Sequence, residues 1–454
     1  MRPVLRMLRR LAAPVGLVAL VAWAAPVAAA VDVQRVVSPG GIEAWLVEDH
    51  TTPLISLSLA FRGGAALDPK GKEGLAELVS GLLDEGAGDL DSQAFQRRIA
   101  DLAMDYGFSS GTDSFHGSLR TLTEHREAAF DLLGLSLSAP RFDPEPVERI
   151  RGQILARLAR NANDPDEIAG RVWWRTMFPD HPYGRPNEGT PESIRAITID
   201  DLKGFVERRF ARDNLIVGVV GDIDAATLAP LLDRAFGKLP QAGTPYEIAE
   251  AEPQGAGATV VVERDVPQSV VIFGESGLKR DDPDFYAAYV MNYVLGGGGF
   301  SSRLTEEVRE KRGLAYSVTS YLTTLDHAGV IQGHVATQNA RVAQSLDIIR
   351  SEWRRMAEKG PTEQELADAK TYLTGSYPLR MTSTGSLARV LTAIQLEGFP
   401  IDYMDKRNSY IEAVTLEDAR RAARRLLDPE RLTVVVVGQP EGVTPTQEPP
   451  EGAI

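Results

Sequence analysis

Two stretches of the chain match each other at a fixed separation, and this repeat limits the fold more than any other feature. Ile194-Arg-Ala-Ile-Thr-Ile-Asp-Asp-Leu202 recurs as Ile411-Glu-Ala-Val-Thr-Leu-Glu-Asp-Ala419. Each copy runs through a basic helical pattern into a buried strand, Leu215 to Gly221 in the first and Leu432 to Gly438 in the second. Ile194 pairs with Ile411 and Gly221 with Gly438 at one offset of 217, without a gap over 28 positions. Chance likeness between helix-then-strand units does not keep one register that far. The chain therefore reads as a tandem of two similar α/β domains.

The 454 residues suffice for two or three domains, and 43% hydrophobic with 25% charged residues lets each half bury its own core. Cysteine is absent, which excludes thiolate zinc sites, iron–sulfur clusters, a cysteine nucleophile and a lipoprotein anchor. The first thirty residues differ in kind. Arg2, Arg6, Arg9 and Arg10 precede an apolar run from Leu11 to Val21, and Ala28-Ala29-Ala30 supplies small residues for a signal peptidase. The apolar run is nearly long enough to span a bilayer, but Pro14, Pro26 and the small-residue ending favour a signal peptide cleaved near Ala30 over a retained anchor. Cleavage removes four arginines and no acid, so the net charge moves from −14 to −18. Such an acidic mature chain is a poor partner for nucleic acid or an anionic membrane surface. The periplasm is the expected compartment.

Beyond that segment, strands and helices alternate. Ile42 to Val47 and Leu54 to Phe61 read as strands, and Phe108 to Leu122 alternates with period two. Gly74 to Leu83, Ser92 to Leu102 and Glu148 to Arg160 read as helices, and Thr198 opens another with Asp200 and Asp201 in its first turn. The expected division is a first domain over 31–238, a Pro/Gly/Ala/Glu-rich linker over 239–257 and a second domain over 258–438. The stretch 439–454, proline-rich with little to bury, is expected to be a disordered tail.

Val308-Arg-Glu-Lys-Arg-Gly-Leu-Ala-Tyr316, preceded by Leu295-Gly-Gly-Gly-Gly-Phe-Ser-Ser-Arg-Leu304, resembles the second-domain signature of the pitrilysin/insulinase zinc peptidases. Asp180-His-Pro-Tyr-Gly-Arg-Pro186, Gly189-Thr-Pro-Glu-Ser-Ile194 and the stretch from Asp213-Asn214 to Gly221-Asp222 are similar to that family's first domain. The resemblance spans residues 35–440 and implies two domains, each a mostly antiparallel sheet covered by helices, forming half of a clamshell. In the family a helix carries His-x-x-Glu-His, whose histidines bind zinc and whose glutamate is the general base, and a glutamate some 75 residues on is the third ligand. Here the matching helix is Gly74-Leu-Ala-Glu77-Leu-Val-Ser80-Gly81-Leu-Leu83: Glu77 and Gly81 stand at the histidine positions and Ser80 at the base. The region expected to supply the third ligand, Gln153 to Ala162, has no carboxylate. The resemblance thus implies a zinc-less member, with no metal bound by this chain.

The second-domain motif is intact. Arg309 and Tyr316 are seven apart, about two helical turns, with Gly313 expected to end the helix between them. In the family this pair reaches across to the zinc domain, holds the substrate backbone and stabilises the oxyanion, which suits a planar guanidinium and a phenol. Read without the family, the charge run Glu306 to Arg312 also suits a solvated helix face and Tyr316 a core residue. Some family members divide the labour, one chain carrying zinc and its partner the Arg/Tyr pair. The resemblance therefore implies a substrate-clamping subunit of a heteromeric periplasmic zinc endopeptidase, inactive alone, with zinc in the partner subunit and peptide or unfolded protein as substrate. The alternative is an inactive scaffold or peptide-binding protein, possible as a homodimer. Glu77, Asp84, Glu85 and Asp89 lack the loop spacing of a calcium site and read as a solvated helix end. The glycine run lacks the Lys-Ser/Thr of a phosphate loop. His181 in its Asp-His-Pro-Tyr setting reads as a cap or packing residue, and no Gly-x-Ser-x-Gly elbow supports another hydrolase.

Overall fold

In the computed structural model, residues 31–453 are described, so the expected signal segment lies outside them. Six strands form the first sheet: β1 (Gln34–Val37), β2 (Glu43–Glu48), β3 (Leu54–Arg62), β4 (Asp105–Ser110), β5 (Ser114–Leu122) and β6 (Leu215–Gly221), ordered β1-β2-β6-β3-β5-β4. Five form the second: β7 (Thr259–Glu263), β8 (Gln268–Ser276), β9 (Ala315–Thr324), β10 (Gly329–Gln338) and β11 (Thr433–Gly438), ordered β7-β11-β8-β10-β9. In each sheet the strand from the sequence repeat, β6 or β11, pairs parallel on one side and antiparallel on the other. All other pairings are antiparallel. Apart from β1, which has no counterpart, the two sheets have equivalent topology, and β4 and β9 are equivalent edge strands. The repeat extends to capping chemistry: Thr198 with Asp201 and Thr415 with Asp418 form reciprocal capping boxes at the starts of the equivalent helices Ile199–Arg209 and Leu416–Leu426.

Alternation along β3 points Ile55, Leu57, Leu59 and Phe61 into a core shared with the helices of the first half. Ser56 and Ser58, on the opposite face, are also buried. What covers them is the helix Thr384–Leu396, which arrives from the second half and lies across β3 and β6. Ser56 Oγ and Thr384 Oγ1 hydrogen-bond at 2.8 Å, Thr392 Oγ1 donates to the Ser58 carbonyl, and Arg62 donates to the carbonyls of Gln395 and Leu396 at the helix end. The exchange is reciprocal. The first-half helix Pro165–Met177 lies across β8 and β11, where Trp173 is packed with Val270, Val435 and Val437.

The expected linker has no helix or strand between Phe236 and Thr259, yet it is fastened: Ala251 N–H donates to the His327 carbonyl and Gln254 N–H to that of Met177. The expectation of a disordered tail is corrected. Thr446 N–H donates to the Thr259 carbonyl at 2.8 Å, Thr259 N–H donates to Thr446 Oγ1 at 2.9 Å, and Ala453 is buried. The reason is that β7 is an edge strand whose open backbone groups need partners, and the tail supplies them with the Thr446 N–H and hydroxyl rather than with a long apolar run. Among the described residues no helix is long and apolar enough to cross a membrane.

Candidate functional site

The helix that carries Glu77 is short, Leu75–Ser80, and ends at Gly81 rather than running to Leu83. Its start is fixed from outside: the buried Asp68 accepts the backbone N–H groups of Gly74 and Ala76 at 2.9 and 3.1 Å. Burial pushes the Asp68 carboxyl up to about 7 against the pull of those bonds. Leu75, Leu78 and Val79 face the core, and Glu77, Ser80 and Gly81 face the helix Pro144–Asn161 across a cleft of about 600 Å³.

The donors present there do not fit a zinc ion. Glu77 Oε1 takes the Arg157 guanidinium at 2.6 Å, and its Oε2 accepts from Ser110 Oγ at 3.2 Å. Ser80 turns its hydroxyl onto the Glu77 carbonyl at 2.8 Å, and Gly81 offers nothing; a Cβ there would meet Ile150 Cγ2 at 3.0 Å. Arg157 projects from the stretch expected to supply the third ligand, so a fixed organic cation faces Glu77 from that side. Of the neighbouring acids Asp89 is exposed, as a solvated end would be, while Asp84 and Glu85 are half-buried and engaged. Glu85 pairs with Arg149, and Asp84, pushed up by burial and by Glu85, accepts from Gln96. Gly107 and Phe108 of the edge strand β4 also line the cleft.

Arg309 and Tyr316 lie together at the surface of the second half. The segment Thr305–Glu310 is wound more widely than an α-helix: Lys311 N–H donates to the Glu306 carbonyl, five residues back, and Leu314 N–H to that of Val308. Such turns concentrate at functional sites. Gly313 then takes φ 58° and releases the chain into β9, which begins beside Tyr316. Tyr316 is 83% exposed, so it is not a core residue. The Arg309 guanidinium carbon lies 4.8 Å from the Tyr316 ring centroid and 4.5 Å from that of Phe300, itself 70% exposed. Much of the remaining charge run is neutralised locally, with Lys311 and Arg312 both on Glu307.

Two supporting residues were not singled out by sequence reasoning. Arg303 is buried and forks onto Glu365 at 2.7 and 2.6 Å, fixing the chain just after the glycine run. Burial alone would raise the Glu365 carboxyl; the Arg303 bonds override it and hold it down to about 2. Arg157 is the other; its place within a helix carried no signal of what it faces. His181 caps a short turn, its Nδ1 accepting Tyr183 N–H at 3.2 Å and its Nε2 donating to the Ala249 carbonyl.

Two equivalent sheets with exchanged helices, and a helix-walled cleft beside the edge strand β4, make up the two-domain architecture of an M16-type fold. The comparisons agree. The insulinase (peptidase family M16) profile matches residues 44–191 and the peptidase M16 inactive domain profile residues 196–373. The chain is 30% identical over 391 residues to the non-peptidase homolog YmxG of Helicobacter pylori, covering 86% of this chain and 90% of that protein. It is 33% identical to an uncharacterized zinc protease of Streptomyces coelicolor, over 70% of each. The crystal structure of a peptidase M16 inactive domain from Pseudomonas fluorescens superimposes with a TM-score of 0.85 at 28% identity, over 92% of this chain and 100% of that one. The chain belongs to the M16 insulinase family.

Proposed function

We propose that this chain is the zinc-less, substrate-clamping subunit of a heteromeric periplasmic zinc endopeptidase, supplying Arg309 and Tyr316 in trans to a zinc-bearing relative. The observation that carries this reading is the pairing of those two side chains at the surface, with Tyr316 almost wholly solvent-exposed. An exposed phenol beside a guanidinium serves no core, and both offer the donors that a polarised carbonyl or an oxyanion accepts. The site around Glu77 complements it: with Arg157 on Glu77 and no donor at Gly81, this cleft does not suit a catalytic zinc. The retained cleft and the open edge of β4 suit an extended peptide that adds as a strand. The basic, apolar leader and the acidity of the remainder support export to the periplasm and no role with nucleic acid.

A native pull-down of the tagged mature chain from the cell envelope, with metal analysis and a peptide-cleavage assay on the eluate, tests this. Co-elution of a zinc-bearing relative, with cleavage that needs both chains, is the expected result. Recovery of the chain alone, inactive, would replace this reading with that of a scaffold or a self-pairing peptide binder.

A further inference from the structure

Phe300 presents a phenyl ring to solvent at the end of the glycine run, and within the chain it meets the guanidinium of Arg309. The base from which it projects is closely packed at Gly296 and Gly298. A Cβ on Gly296 would meet Ser320 Oγ at 2.3 Å, and one on Gly298 would meet the Tyr293 carbonyl at 2.7 Å, so those glycines seat the backbone against its surroundings. Gly299, at φ 55°, turns the chain outward, Ser302 Oγ donates back to the Gly299 carbonyl at 2.7 Å, and Arg303 is forked onto Glu365. The ring is therefore pre-placed, while Arg309 is a long side chain with many rotamers to lose. Among the described residues the ion-pair partner of Arg309 is Glu310, reached through Nε at 3.3 Å, and its terminal amino groups carry no hydrogen bond. A ring against the face of a guanidinium restrains its plane and leaves the N–H edge free to donate.

We infer that Phe300 is the positioning residue of Arg309, holding the guanidinium against its ring so that the terminal N–H groups are presented, pre-oriented, to a carbonyl of the bound peptide. The catalytic consequence rests on the proposed in-trans role of Arg309; the geometry stands apart from it. Two measurements separate the two. In the isolated chain labelled with ¹⁵N-arginine, the side-chain resonances of Arg309, assigned by Arg309→Ala, are expected at ring-current-shifted positions that move toward random-coil values in Phe300→Leu and stay shifted in Phe300→Trp. In the complex with the zinc-bearing relative, Phe300→Leu is expected to lower kcat/KM about 10-fold, mainly in kcat, with affinity between the subunits unchanged, and Phe300→Trp to restore it to within about threefold. Unshifted resonances in the wild-type chain overturn the geometry. Wild-type kcat/KM in Phe300→Leu alongside a large loss in Arg309→Ala overturns the positioning role and leaves the in-trans reading standing. A loss in Phe300→Leu that Phe300→Trp does not restore marks a packing role and overturns it too. If Arg309→Ala is itself silent, the in-trans reading fails and the inference falls with it.

Discussion

Glu77 and Arg157 form an ion pair, Glu77 at a position where the family pattern places a histidine ligand and Arg157 within the stretch expected to supply the third ligand. Restoring the histidines is therefore not enough to restore the metal. The variant Glu77→His/Gly81→His keeps a guanidinium facing the two imidazoles and crowds Ile150, and it is expected to bind zinc at best weakly. Adding Arg157→Glu removes that charge and supplies a third donor from the same direction, and is expected to tighten zinc binding at least about 10-fold. Titration with a competing chelator checks both; equal affinity with and without Arg157→Glu would show that residue 157 does not face the site. Glu77, Ser80 and Gly81 were legible in the sequence because a motif fixes their places one by one. Arg157 was not, because its partner lies 80 residues away and helical spacing does not say which helix it faces. The adjacency of Arg309 and Tyr316 was readable only as a spacing of seven, since the wide turn that joins them carries no compositional mark.

At the level of elements, two buried carboxyls tie stability to pH. Burial pushes Asp68 up to about 7 and also Glu275, which accepts Trp353 Nε1 at 2.6 Å and the Asp428 N–H at 3.0 Å. Both pKa values rise on folding, so the folded chain binds more protons than the unfolded one between the ordinary carboxylate range and about pH 7. Stability contributed by these groups is fully present in acid and falls as pH rises through that window. The melting temperature is expected to drop between pH 5 and 8, and Asp68→Asn to flatten the slope; an unchanged slope in Asp68→Asn would refute the assignment. The crossing helix Thr384–Leu396 rests on β6 at Gly218, where a Cβ would meet the Ala388 carbonyl at 2.7 Å and Leu391 Cβ at 3.0 Å. Gly218→Val is expected to destabilise the chain by about 1–3 kcal/mol in denaturant titration, the usual cost of overpacking. The serines of β3 show why this contact was hidden in the sequence. Alternation marks a polar face, and nothing local says that a helix from the other half of the chain covers it.

Across the whole molecule, the repeat predicted two similar domains, and the sheets bear that out in strand order and capping boxes. The exchange of helices means that neither half buries its sheet unaided. Calorimetry is expected to show one cooperative transition, and fragments 32–238 and 258–453 expressed apart are expected to be insoluble or unfolded until mixed; two independent transitions would contradict this. This frame sets Arg309 and Tyr316 side by side on the surface, as the proposed clamp requires. The most direct test is the cleavage rate of an extended peptide by the reconstituted complex of this chain with its zinc-bearing relative, compared between wild type and Arg309→Ala. A loss of about 10²-fold or more in kcat/KM with the two chains still associated is expected, the scale set by removing an oxyanion donor. Wild-type cleavage by the Arg309→Ala complex, or by the zinc-bearing chain alone, would contradict the in-trans role.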